Sequence, residues 1–353
     1  MEELDLVNGF RPKEIHTIIS WNGEKNYPKV NEYIKKFPVE NIKVLFNEKI
    51  SLSQDEGKKI AKKIYNSNSA PNRVINGCVQ LLIIEDSKPM YSHEKATSCW
   101  QVLNKSMKII KEDMRTKIGG SIKNYGSFHT SYNTEEALIV LEAFNLKKYI
   151  NRPKFKDFNE LFDFLNNSKN LKYVIQRSFH EIEYGISYFN NSNDIDILVN
   201  DYYYFKALTG ARSNNRAKMR DNDNGYNVQS TINIGKKEIK FDIRFVGDNY
   251  VDSNWEKDML NRRILHTLKQ NITIATPNIQ DELYSLVYHI IIQKKNPSKS
   301  KHIPRVQKLI QDINKNSIDF QDIKSVRTFL DSFMKENSYE YKKPKDIIVN
   351  FLI

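Results

Sequence analysis

Asn193-Asp194-Ile195-Asp196-Ile197-Leu198-Val199 decides how the second half of this chain reads. Strand residues two apart share a face, so Asp194 and Asp196 project together while Ile195 and Ile197 turn toward a core. Neighbouring carboxylates repel each other, and a divalent cation relieves that repulsion. A third aspartate, Asp242, lies in Ile239-Lys240-Phe241-Asp242-Ile243-Arg244-Phe245, between two apolar residues of another strand-like run. Three carboxylates on adjacent strands suit Mg²⁺ or Mn²⁺ together with nucleotide phosphates. The plainer reading is that Asp194 and Asp196 cap or solvate an edge strand. The third acid and the order of strands and helices favour the site.

The surrounding chain is globular in composition. Its 353 residues are 39% hydrophobic and 28% charged, enough for two domains. It has 55 Lys and Arg against 43 Asp and Glu, a net charge of +12. That balance suits an anionic partner, or simply a lysine-coated surface. Cys78 and Cys99 make neither a disulfide framework nor a zinc site and read as buried thiols. A reducing, cytoplasmic compartment is expected, and the acidic start Met1-Glu2-Glu3 is unlike a signal peptide. No apolar run reaches the roughly 18 residues of a membrane span.

The pattern predicts an N-terminal α/β domain over 1–150, for which a ferredoxin-like arrangement is one candidate. Strands are expected at 15–21, 42–46 and 79–85, with helices at 27–37, from an N-cap at Ser53 to about Tyr65, at 102–115 and from Thr134. Ser53 and Glu56 have the spacing of a capping box. Asn151-Arg152-Pro153-Lys154 reads as a linker. Beyond it, 152–353 is expected to form a mixed sheet with a helical tail, an α/β plus α chain overall. Its expected elements are a helix at 158–165, strands at 173–176 and 195–199, and a helix from Tyr202. A loop over 210–225, a hairpin of 228–234 and 238–246, and helices at 281–293, 303–314 and 321–335 complete it.

The order of Asp-x-Asp strand, helix and hairpin with a third Asp resembles the nucleotidyltransferase superfamily typified by DNA polymerase β, over residues 171–295. The resemblance implies that Asp194, Asp196 and Asp242 hold metal and that Asp242 accepts the proton of an attacking hydroxyl. Where the family carries Gly-Gly or Gly-Ser, this chain has Gln176-Arg177-Ser178-Phe179. Only Ser178 keeps the pattern, and Arg177 could serve as the phosphate ligand in place of backbone amides. This departure is similar to the divergent carbohydrate-locus and choline-phosphate/fukutin-like branches. The implied activity is metal-dependent transfer of a nucleotidyl or phospho-sugar group from a nucleotide-activated donor to a glycan, nucleic acid or protein. The alternative is a non-catalytic relative that binds nucleic acid or another anion. Arg244 shares the face of Asp242 and is expected either to bind phosphate or to pair with the acids. His289 lies on an apolar helix and reads as a hydrogen-bonded core histidine. Asp201 and Asp248 read as solvated loop acids. Replacing Asp194 and Asp196 by Asn is expected to remove metal binding while relieving repulsion.

In the first half, Phe128-His129-Thr130-Ser131-Tyr132 follows a glycine turn and precedes an acidic helix start. The strand and helix order of 14–145 is similar to nucleoside diphosphate kinase, whose phospho-accepting histidine lies in His-Gly-Ser-Asp. Here Gly and Asp are missing, which favours a locally hydrogen-bonded His129. Asp86, at a strand end, is either a ligand position or a turn residue.

Overall fold

The computed structural model describes residues 13–65, 77–96, 99–119, 128–149, 153–177, 179–189, 193–213, 229–294, 296–313 and 318–342, with backbone alone for 91–96 and 99–102. The chain is mixed α/β and divides into two compact units, Met1–Arg152 and Pro153–Ile353. Asn151 and Arg152 of the expected linker lie outside the described residues.

The first unit is built on a fully antiparallel sheet. Its strands are β1 (Glu14–Ser20), β2 (Ile42–Leu52), β3 (Gly77–Asp86) and, after a separate hairpin of β4 (Tyr91–Ala96) and β5 (Cys99–Asn104), β6 (Phe128–Thr130). The sheet order is β2-β3-β1-β6. Helices α1 (Gly23–Ile34), α2 (Gln54–Tyr65), α3 (Lys105–Lys117) and α4 (Thr134–Ala143) complete the unit. With the hairpin and α2 set aside, this is the strand order of a ferredoxin-like βαββαβ sheet.

Strand parity explains the two apolar layers. Ile18, Leu82 and Ile84 pack with Val30 of α1 and Met107, Ile110 and Met114 of α3. Their neighbours Ile19, Leu81 and Val79 pack with Ala61 and Ile64 of α2 and Val140 of α4. Both faces are covered, so β3 is an almost unbroken apolar run rather than an alternating one. Gly23 lets α1 start against β3, since a Cβ there would lie 2.6 Å from the Val79 carbonyl carbon. Ser53 and Glu56 form the expected capping box: Ser53 N–H donates to Glu56 Oε2 at 2.8 Å and Glu56 N–H to Ser53 Oγ at 3.3 Å. The helix expected from Val102 begins instead at Lys105, because Asn104 caps it by accepting from Met107 N–H at 3.0 Å. α4 begins at Thr134 as expected, capped by Asn133, whose side chain accepts from Glu136 N–H.

The second unit opens with α5 (Phe158–Asn167) and a mixed sheet. Its strands are β7 (Tyr173–Ile175), β8 (Ile195–Val199), β9 (Arg212–Ser213), β10 (Gln229–Ile234) and β11 (Lys237–Phe245), in the order β7-β8-β11-β10-β9. Of the pairings between these strands as described, β8–β11 is parallel and the rest are antiparallel. Helix α6 (Tyr202–Thr209) follows β8. β10 and β11 join through a two-residue turn in which Gly235 takes φ +59°, a left-handed conformation that glycine adopts without strain. Much of the expected 210–225 loop lies outside the described residues.

Then come α7 (Ser253–Asn261), the hairpin β12 (Ile264–Thr267) and β13 (Thr273–Thr276), α8 (Ile279–Gln293), α9 (Ile303–Asp312) and α10 (Ile323–Glu336). The apolar pattern gave no sign of β9, α7 and the β12–β13 hairpin, nor of β4, β5 and β6 in the first unit. The helices bury one large core that also takes Val174 and Leu198 from the sheet. Trp255 sits inside it, stacked on Tyr339 at 5.6 Å and donating its indole N–H to Asp281 Oδ1 at 3.0 Å. Asp281 is fully buried and also receives Arg262 at 2.8 Å, so its charge is answered. No helix among the described residues is long and apolar enough to cross a membrane.

Each unit has its own apolar core, so residues 1–152 and 153–353, expressed separately, should each unfold in one cooperative transition. Chemical denaturation of the two fragments tests this. A pair in which neither piece folds would mean that the halves depend on a shared core.

Candidate functional site

Parallel pairing of β8 and β11 places Asp196 directly opposite Asp242, and Ile195 opposite Phe241. Alternation then sorts the side chains. Ile195, Ile197, Phe241 and Ile243 are buried. Asp194, Asp196 and Leu198 share the other face with Asp242, Arg244 and Val246. Leu198 and Val246 pack against the helical layer. Asp196 and Asp242 lie on the same face, each with 19% of its side chain exposed.

Arg177 answers the pair. Gln176 N–H donates to Asp196 C=O at 3.0 Å, which extends the β7–β8 ladder and delivers the next residue to the acids. The Arg177 side chain is 9% exposed and pairs directly with Asp196 Oδ1. Its other terminal nitrogen donates to Tyr250 Oη at 3.0 Å and to His289 Nδ1 at 2.8 Å. Desolvation, then the Arg177 charge, holds His289 well below the ordinary imidazole value, so it is a neutral acceptor. His302 packs edge-on against it, with ring centres 5.5 Å apart, and burial and Arg177 push its pKa down to about 4. Gln293 Oε1 lies 2.7 Å from His289 Nδ1.

Arg244 lies against the other acid. Its Nε is 3.9 Å from Asp242 Oδ1, its Nη1 is 3.6 Å from Asp248 Oδ2, and its guanidinium covers the Tyr250 ring at 4.1 Å. Asp242 Oδ1 is buried and has no hydrogen bond among the described residues. Burial raises Asp242 to about 6, against the pull of Arg244 and with a push from Asp196. Asp194 is raised by desolvation and then by Asp196.

Asp196, Asp242, Arg177 and Arg244 therefore meet on one face, with Asp194 two residues before Asp196. Ser178 lies outside the described residues. Three sequence expectations need correction. Asp201 is the N-cap of α6, accepting from Tyr204 N–H at 2.9 Å. Asp248 is 5% exposed, beside Arg244 and Glu256. Burial, then Asp248, pushes Glu256 well above the ordinary carboxylate value. Finally, the Asn substitutions do not simply relieve repulsion, because Arg177 already neutralises Asp196. Tyr250, Gln293 and His302 were missed. Of these, only Gln293 left a sequence signal, the helical four-residue spacing from His289.

In the first unit, His129 stands in β6 with its ring edge-on to Tyr65 at 5.1 Å. Asp86 is fully buried and accepts from Lys88 N–H at 3.0 Å and Asn104 Nδ2 at 2.9 Å, the role of a turn residue. Ser131 Oγ lies 3.5 Å from His16 Nδ1, and His16 Nε2 lies 3.3 Å from Glu14 Oε2. This mimics a nucleophile, base and acid. Ser131 has no exposed surface, however, and its Oγ accepts from Thr17 N–H at 2.8 Å, so the group ties β1 to the chain after β6. Cys78 is a buried free thiol, and the Cys99 side chain is outside the description.

Hard oxygen donors on one face and an orphaned Asp242 Oδ1 have the chemistry for a divalent cation. Among the described residues, though, no three His, Cys, Asp or Glu side chains converge closely enough to hold one. Arg177 holds the Asp196 side of that place.

No family model and no curated protein matches this chain. Among solved structures, the chain is similar to the nucleoside diphosphate kinase of Aquifex aeolicus. The two are 13% identical, over 37% of this chain and 94% of that one, with a TM-score of 0.26. A likeness of that size carries no argument.

Two stability outcomes follow. His302 binds its proton more weakly when folded, so its contribution is fully present above the ordinary value of 6.5 and is lost as pH falls toward about 4. Asp242 acts oppositely: the folded state holds a proton between the ordinary 3.8 and about 6, so stability falls as pH rises through that window. Asp242→Asn should therefore gain about 1–3 kcal/mol at pH 7 and steepen the acid loss. Asp196→Asn should instead cost about 3–5 kcal/mol, by leaving Arg177 buried without its acid. Urea unfolding at pH 7 and pH 5 checks both, and equal effects of the two substitutions would refute the assignment.

Proposed function

We propose that the second unit is a metal-dependent transferase, moving a nucleotidyl or phospho-sugar group from a nucleotide-activated donor to an acceptor hydroxyl. One observation carries this reading: Asp196 and Asp242 face each other across parallel strands, and an Asp242 oxygen is buried without a hydrogen bond among the described residues. Asp194, Asp196 and Asp242 would hold Mg²⁺ or Mn²⁺, which supplies charge neutralisation for phosphate and the leaving oxygen.

The chain's own groups do the rest. Arg177 must release Asp196 for a cation to bind, and the freed guanidinium then reaches phosphate as a fork of donors. Tyr250 and neutral His289 hold that guanidinium in place without competing for its charge. Asp242 would serve as the general base for the acceptor hydroxyl. The acceptor oxygen forms its bond to phosphorus as the bond to the donor's leaving phosphate breaks. The leaving phosphate keeps the electron pair, and the hydroxyl proton passes to Asp242. Arg244 orients Asp242 and restrains its charge.

The Arg177–Asp196 pair also favours a second reading. In it, the guanidinium permanently replaces the metal and the fold binds anions, such as nucleic acid, without catalysis. Titration of Mg²⁺ and Mn²⁺ with ATP, CTP and UTP separates the two. The transferase should show metal-dependent nucleotide binding and a metal-dependent rise in Tm. Asp242→Asn should reduce that rise and lower transfer by roughly 10²–10⁴-fold. Salt-sensitive polynucleotide binding without metal would support the second reading. An identical metal response in wild type and Asp242→Asn would remove Asp242 from the site.

A further inference from the structure

A cavity lies on the sheet face that the acids do not use. In the β7–β8 ladder Tyr173 stands opposite Val199, so it shares the face of Ile195 and Ile197 and turns away from Asp196. There the end of α5, β7, the β12–β13 hairpin and the end of α7 enclose about 180 Å³. Leu165, Leu171 and the Tyr173 ring form an apolar floor, each 4% exposed or less. Leu265 of β12 forms a wall and leaves 64% of its surface to solvent. Hydrogen bonds hold the space open. Tyr173 Oη donates to Asn166 Oδ1 at 2.8 Å and accepts from Ala275 N–H at 3.3 Å. Asn166 Nδ2 donates to Thr273 C=O at 2.8 Å. These bonds tie α5, β7 and β13 together, so the cavity is formed before any guest enters.

The polar atoms of the floor are thus bonded within the protein, whereas the rim offers donors. Arg263 lines the cavity, gives one hydrogen bond to Leu260 C=O at 2.9 Å, and has no carboxylate partner among the described residues. In the same unit Arg177, Arg244, Arg262, Arg305 and Arg327 each lie against an aspartate or glutamate. Asn261, also on the rim, accepts from Lys172 Nζ at 2.7 Å through Oδ1. Its amide N–H groups have no hydrogen bond among the described residues. None of the lining side chains is acidic.

Charge and shape together select the guest. A guanidinium presents two parallel N–H groups to a planar carboxylate. An apolar cavity of roughly 150 Å³ accepts a benzene-sized ring. We propose that this cavity is a binding site for a small organic carboxylate, with its apolar body on Leu165, Leu171 and Tyr173 and its carboxylate on Arg263 and Asn261. The site stands on the opposite sheet face from Asp196 and does not depend on the transferase reading.

The test uses the full chain and benzoate, a carboxylate on a ring of fitting size, titrated by ligand-observed NMR. Wild type should bind benzoate, and should bind benzamide, its neutral counterpart, at least roughly tenfold more weakly, as loss of a charge-assisted contact implies. Arg263→Gln should lose at least roughly tenfold in benzoate affinity for the same reason. Leu265→Glu sets a like charge on the exposed wall and should weaken benzoate without disturbing the fold. Lys257→Gln removes the same charge as Arg263→Gln from an exposed position of α7 outside the cavity, and should bind as wild type. Thermal unfolding of each variant confirms that it is folded. No binding of benzoate by wild type, or benzamide bound as tightly, would overturn the site. So would full affinity in both Arg263→Gln and Leu265→Glu, or an equal loss in Lys257→Gln. Inorganic phosphate bound as tightly as benzoate would overturn the apolar half of the assignment and leave a bare anion site.

Discussion

Two carboxylates opposite each other on parallel strands repel, and much of the second unit is arranged around that repulsion. The β8–β11 register fixes Asp196 against Asp242, and neither can move apart without breaking the ladder. Burial raises Asp242 to about 6, and repulsion from Asp196 adds to it against the pull of Arg244. The protein answers with two guanidinium groups from different elements. Arg177, delivered by the end of β7, takes Asp196, while Arg244, two residues along β11, lies near Asp242. Each cation then needs its own shell: Tyr250 and His289 for Arg177, Asp248 and the Tyr250 face for Arg244.

Helix α8 links this polar cluster to the core. Leu283, Leu286, Val287 and Ile290 are buried in the helical layer, while His289 and Gln293 turn to the site. A histidine on an apolar helix is usually a satisfied core residue, and His289 is satisfied. Its partner is the cation that neutralises Asp196, so the same hydrogen bond serves packing and the site. A neutral imidazole suits this place because a second positive charge beside Arg177 would be costly in a poorly solvated interior. The scaffold under α8 is rigid for similar reasons, since Trp255 and Asp281 satisfy each other within an aromatic stack.

The first unit shows buried polar groups used for register alone. His16, Glu14, Asp86, Asn104 and Ser131 are all 6% exposed or less. Each finds a neighbour, and Asn104 both caps α3 and donates to Asp86. Such a network carries no accessible nucleophile. It fixes β1, β3 and the start of α3 relative to one another at an end of the sheet where apolar packing gives way to turns.

Local signals determined much of the fold from sequence alone. Apolar periodicity placed β1, β3, β8, β11 and α8, and Ser53 with Glu56 marked the start of α2, because propensity, parity and capping act within a few residues. The same parity put Asp194 and Asp196 on one face and gave Asp242 a strand of its own. Short or exposed pieces escaped: β12 is exposed throughout, so it carries no buried–exposed alternation, and α7 is short, with only Trp255, Met259 and Leu260 as its buried apolar side chains. What tertiary structure alone decided is which groups meet. Tyr250 and His302 lie 73 and 125 residues beyond Arg177, with no motif to connect them. Their place is fixed by where β7, β11 and α8 pack, and whether a carboxylate faces a metal, an arginine or water depends on that packing rather than on its neighbours in sequence.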